Sequence, residues 1–158
     1  MEQRIITARD VRRGLLQLIN DQPYTHALTL NTDRELSLRR IRGVFGTFCM
    51  KLDREILGTQ RPASLPASLR LNAIAFPEHL GTNAHLHVLA DFSALMTLWP
   101  YQCYAFDLIR CCWLQSTRGA GSIDVKPLRD NGYSRYALKN ALGRDPVFFL
   151  ARDFHPQL

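Results

Sequence analysis

Asn83-Ala84-His85-Leu86-His87-Val88-Leu89 has the two-residue period of a half-buried β-strand. In that reading His85 and His87 share one face, and Leu86 and Val88 point the other way, into a core. The strand extends from Ala84 to Phe92 and follows a second candidate, Leu71 to Phe76, across a turn at Pro77 to Asn83. A connection this short predicts an antiparallel hairpin. Further strands are expected at Tyr24 to Leu30 and at Ser122 to Leu128, with Val147 to Ala151 as a last strand or extended tail.

Helical periodicity fills the intervals. Val11, Leu15, Leu16, Leu18 and Ile19 mark an amphipathic helix from Ala8 to Ile19, stopped by Asp21-Gln22-Pro23. Ser37 is placed to cap a long helix from Leu38 to Leu57, with Ile41, Val44, Phe45, Phe48, Leu52 and Ile56 inward and Gly58 as its stop. Thr59 to Ser68, with Pro62 and Pro66, reads as a loop. Ser93 is placed to cap another helix, interrupted at Pro100 and ending near Leu114. Asp130-Asn131-Gly132 reads as a turn before a short helix from Tyr133 to Leu142. The expectation is α+β: a single domain over 1–158, with a central antiparallel sheet covered by one layer of helices.

The bulk properties suit that size. The 158 residues are 46% hydrophobic and 22% charged, with a formal net charge of +6. Such a chain can bury a core. Its basic excess is compatible with a polyanionic partner, although on charge alone a solvated basic surface is the slightly better reading. Cys49, Cys103, Cys111 and Cys112 contain no C-x-x-C pair and are expected as reduced thiols in or near a core. The opening Met-Glu-Gln-Arg-Ile-Ile is charged at once, and no stretch is apolar for the length of a membrane span. A cytoplasmic protein with no membrane partner is expected.

Two side-by-side imidazoles can ligate a divalent metal and leave positions for substrate or water. The competing reading is a pair of surface histidines. Other H-x-H enzymes fit less well. The metallo-β-lactamase pattern needs an aspartate where Leu89 stands. Amidohydrolases need a barrel of roughly 250 residues. A second motif, Tyr133-Ser134-Arg135-Tyr136-Ala137-Leu138-Lys139, puts Tyr136 and Lys139 on one helix face, with Tyr133 a turn earlier. A phenol near its ordinary pKa of about 10 is a poor nucleophile, and an adjacent ammonium favours phenolate. The competing reading makes Tyr136 a core residue and Lys139 a solvated one.

Taken in order, Ala27-Leu28-Thr29-Leu30-Asn31, His85-Leu86-His87 and Tyr136-Ala137-Leu138-Lys139 resemble the motifs of the HUH endonuclease superfamily. The likeness is to the rolling-circle replication initiators (Rep proteins) of plasmids and phages, a fold related to the RNA-recognition motif. It runs from Tyr24 to Leu142. That family often takes a third metal ligand from a glutamate on the strand before the histidines. Glu78, seven positions before His85, is the acidic residue near that place, and His79 is its rival.

The resemblance implies Mg²⁺ or Mn²⁺ on His85, His87 and a third ligand, and a tyrosine that cuts single-stranded DNA to leave a 5′-phosphotyrosine and a free 3′-hydroxyl. Tyr136 matches the nucleophile and Lys139 its positioning group. Tyr133 would be a second tyrosine only at a spacing the two-tyrosine relatives do not use. Arg39, Arg40, Arg42, Lys126, Arg129 and Arg135 are candidates for the DNA backbone. The expected partner is single-stranded origin or hairpin DNA, with unwinding left to a host helicase. The alternatives are a non-catalytic DNA-binding regulator or degenerate initiator on the same fold, and a transposase of the same superfamily. The small transposases use Y-x-x-x-Q, whereas Asn140 stands at that fourth position here.

Overall fold

The computed structural model describes residues 6–58, 66–99, 101–129 and 146–155. The elements run α1 (Ala8–Asn20), β1 (His26–Asn31), α2 (Leu38–Leu57), a 3₁₀ turn (Ala67–Leu69), β2 (Asn72–Glu78), β3 (His85–Asp91), α3 (Ser93–Leu98), α4 (Gln102–Ser116), β4 (Ser122–Pro127), β5 (Phe149–Leu150) and a last 3₁₀ turn (Ala151–Phe154). The five strands form one antiparallel sheet in the order β4-β1-β3-β2-β5. The fold is α+β, as the periodicities require.

Alternation divides the sheet into two faces. Leu28 and Leu30 of β1, Ala73 and Ala75 of β2, and Leu86, Val88 and Ala90 of β3 pack into the main core with Ile41, Phe45, Phe48 and Leu52 of α2 and Ile109 and Trp113 of α4. The other face carries Ala27, Ile74, Phe76 and Leu89, covered by Leu15 and Ile19 of α1. The expected single layer of helices is therefore corrected to helices on both faces, because α1 has its own apolar stripe to bury.

Local chemistry fixes the ends. Thr7 and Asp10 form a capping box at α1. Ser37 accepts the Arg40 N–H at the start of α2, and Gly58 closes that helix in the left-handed region at φ 60°. Ser93 is not a cap. It is the first residue of α3, and its N–H is held by the Asp91 carboxylate at 3.0 Å. At the start of β4, Gly121 has φ 96°, and a Cβ there would meet the Asn31 carbonyl. The same carbonyl accepts the Trp113 indole N–H at 2.8 Å.

Strand ends shift from expectation by a residue or two, most consequentially in β2 and β5. Pro77 lies inside β2 rather than in the turn, opposite Leu86. Among the described residues β5 pairs only with Ile74 and Ala75, so the half-buried Pro77 has no described strand on its outer side, a place where proline is tolerated. The last strand is two residues long, and Ala151 already opens a 3₁₀ turn. Cys49 and Cys112 are buried, whereas Cys103 and Cys111 are exposed; burial pushes the Cys112 thiol up to about 12. Residues 59–65, most of the expected loop, and 130–145, with the expected turn and Tyr133 to Leu142 helix, lie outside the described residues.

A buried ion pair ties α2 to the start of β2. Arg70 donates from Nε to Asp53 Oδ2 at 2.8 Å, the two side chains are 2% and 1% exposed, and Asp53 Oδ1 accepts the Leu71 N–H. Asp53→Ala would strand a buried guanidinium and an amide, so it should cost about 3–5 kcal/mol in urea unfolding. A loss within about 0.5 kcal/mol would contradict this role.

Burial lowers the pKa of His26 and, with help from Arg70, that of His155. Below the ordinary histidine value of about 6.5 the unfolded chain binds more protons than the folded one. Stability should therefore fall as the pH drops from 7 through 6 towards 5, as measured by urea titrations. A flat profile across that window would contradict the burial of neutral rings.

Candidate metal centre

The β2–β3 register sets the site. Glu78 stands opposite His85, and Phe76 opposite His87. On the other side of β3, Asn31 stands opposite His85 and Thr29 opposite His87, and β4 adds Ser122 and Asp124 to the same rows. Directly opposed residues share a face. One half of the α1-covered face is thus apolar, and the other half is a polar patch centred on the histidines.

Glu78, His85 and His87 bring one ligand atom each to within 4.8 Å of one another, the one such cluster among the described residues. Glu78 Oε2 lies 3.3 Å from His85 Nε2 and 3.2 Å from His87 Nε2. The imidazole rings are 5.1 Å apart and nearly perpendicular. His79, the rival third ligand, is outside this cluster. It is exposed with a left-handed backbone at φ 49°, and its ring stacks on His85 at 5.2 Å.

The protons can be placed. His85 Nδ1 is 3.0 Å from the Asn83 carbonyl, which only accepts, so Nδ1 carries the hydrogen. In the neutral ring Nε2 is then a lone pair facing a carboxylate oxygen. Such an arrangement requires a proton, on the ring or on the carboxyl, or a metal ion between the atoms. Burial, the largest influence on His87, lowers its pKa and works against a second proton there. Glu78 Oε1 is buried and has no hydrogen-bond partner among the described residues.

These features fit a divalent ion. With bonds of about 2.1 Å, neighbouring ligand atoms sit roughly 3.0 Å apart in an octahedron and roughly 3.4 Å in a tetrahedron. The two Glu78 separations, 3.2 and 3.3 Å, fall between these edges. The Asn83 carbonyl supplies the outer hydrogen bond that orients a ligating histidine.

The other candidate residues are more scattered. Arg39, Arg40 and Arg42 are exposed on α2, in the helix layer behind the sheet, and Arg42 lies over the Phe154 ring at 4.9 Å. Lys126 is on the histidine face of β4, 2.7 Å from Asp124, and Arg129 is exposed just beyond that strand. Tyr133, Arg135, Tyr136 and Lys139 lie outside the described residues. Thr29, Asn31 and Asp124 were not singled out from the sequence. Alternation places them on a face, but only the register shows that it is the histidine face. Comparison with known protein families, curated proteins and solved structures finds no match.

Glu78→Ala should weaken Mn²⁺ binding, measured by calorimetry, by about 100-fold or more while leaving the melting temperature of the metal-free protein nearly unchanged. His79→Ala should leave the affinity within about threefold. The reverse ranking would transfer the third-ligand role to His79.

Proposed function

We propose that this chain is a metal-dependent endonuclease that nicks and rejoins single-stranded DNA through a tyrosine, in the manner of the HUH initiators its motifs resemble. The observation that carries the reading is Glu78 Oε2 held between the Nε2 atoms of His85 and His87. Two imidazoles and a carboxylate suit Mn²⁺, and less closely Mg²⁺, which prefers all-oxygen sites. When bound there, such an ion would polarise the scissile phosphate and offset its developing negative charge.

The chain's own residues supply the rest. Glu78, His85 and His87 fix the position at which a phosphate oxygen is drawn in. Asn83 holds the His85 ring with its lone pair inward. The Tyr136 phenol gives its proton to water and its oxygen forms the new bond to phosphorus, the bond from phosphorus to the 3′ oxygen breaks, and that oxygen takes a proton from water to leave as a hydroxyl. Lys139, three positions after Tyr136 in the sequence, would position the phenol or the phosphate and favour phenolate. The phosphotyrosine ester conserves the bond energy, so a 3′-hydroxyl can attack it and reseal the strand without ATP. The motif resemblance, rather than the chemistry, makes initiation of rolling-circle replication the role assigned to it.

The test is a labelled single strand incubated with Mn²⁺ and resolved on a denaturing gel. The unaltered protein should give a covalent adduct and a free 3′ end. Tyr136→Phe should retain DNA binding and lose cleavage by at least about 1,000-fold, since a nucleophile has no substitute. Tyr133→Phe should be milder. An adduct that persists in Tyr136→Phe moves the nucleophile elsewhere. No adduct from the unaltered protein on its origin with either metal leaves a non-catalytic DNA-binding protein.

A further inference from the structure

Behind the sheet, α2 and the end of α4 enclose a second concave surface. It is a groove of about 500 Å³ whose described lining includes Arg34, Arg40, Gly43 and Arg118. None of the described lining is acidic, and its four hydroxyls each donate to a backbone carbonyl, so the arginines are its free donors. Arg34, Arg40 and Arg118 form no ion pair with any described residue. Arg34 is fixed by one bond from Nη2 to the Thr117 carbonyl at 3.2 Å, which leaves the rest of its fork of donors uncommitted among the described residues. Gly43 has nothing within 4 Å of where a Cβ would lie, so the floor of the groove stays open.

We infer that this groove binds the phosphate backbone of single-stranded nucleic acid. Three guanidiniums around one concavity repel one another unless an anion lies among them. Guanidinium forks are donors that phosphate oxygens take. Among the described residues the lining offers no aromatic side chain on which a base could stack, which points to contact with the backbone rather than with the bases. Thr32 directly follows Asn31, whose Cα partner is His85, so the groove begins at the end of the sheet that carries the metal centre. A strand leaving the histidine face can pass over that end and rest its phosphates on Arg34, Arg40 and Arg118. The inference rests on the nucleic-acid part of the proposed function but not on cleavage.

The test is the double variant Arg40→Glu with Arg118→Glu. Both residues are exposed, so folding should survive; Arg34 is left in place because it also holds the end of α4. Binding of a fluorescein-labelled oligothymidylate is followed by anisotropy across a salt series, with Mn²⁺ affinity measured in parallel. We expect affinity to fall about tenfold or more, and the slope of log affinity against log salt to lose about 1.4, at roughly 0.7 per single-strand phosphate contact. Mn²⁺ binding should not change. If the unaltered protein binds the oligonucleotide and the variant binds it with the same affinity and slope, the groove is overturned while the nicking reading stands. If the slope falls as expected but the unaltered protein never cuts, the nicking reading fails and the groove stands. Binding of inorganic pyrophosphate without oligonucleotide binding would make this a small-anion site and overturn the inference.

Discussion

The register between β2 and β3 is the constraint on which the rest of the structure depends. A strand has a side-chain period of two, so a slip of one residue would carry every side chain to the opposite face. His85 and His87 would then enter the core, and Leu86 and Val88 would face out. The core forbids this. Leu86 and Val88 pack against α2 and α4, and Phe76 and Leu89 pack against α1, so both faces hold the same register. The polar cluster is a consequence of two apolar layers being satisfied at once, and Glu78 arrives opposite His85 because Ile74 and Phe76 are anchored below it.

The cluster also draws its electrostatics from that packing. At one end of the face, α1 covers Ala27, Ile74 and Leu89. Further along, His87 is only 6% exposed, and its pKa is lowered mainly by that burial. A half-buried carboxylate that faces the lone pair of an imidazole is a costly arrangement for a protein to keep without a proton or a metal ion between them. The His85 tautomer, set by the Asn83 carbonyl, sharpens the point, because it turns the lone pair rather than a hydrogen towards Glu78.

Much of this was legible in the sequence. The alternation around His85-Leu86-His87 gave their shared face, and Ser37 and Gly58 bracketed α2 at its observed ends. Other features were not legible, for physical reasons. Pro77 looked like a breaker because a proline has no N–H for a ladder, and sequence cannot show on which side of β2 that missing donor falls, so the register of Glu78 stayed open. Ser93 looked like a cap because its hydroxyl is a good acceptor, but Asp91, two residues earlier, holds its N–H instead. The buried pair of Asp53 and Arg70 is invisible to local pattern, since its partners are 17 residues apart. Arg34 and Arg118 likewise reach the Arg40 groove only through the fold.

The most direct test of the central claim is pulsed EPR of the protein loaded with one equivalent of Mn²⁺. Two imidazole ligands should give nitrogen couplings from two inequivalent ¹⁴N nuclei, because the rings meet the site nearly at right angles. His85→Ala should remove one set and leave the other. A spectrum with water-proton couplings alone, or one unchanged in His85→Ala, would contradict a metal centre built by the β2–β3 register.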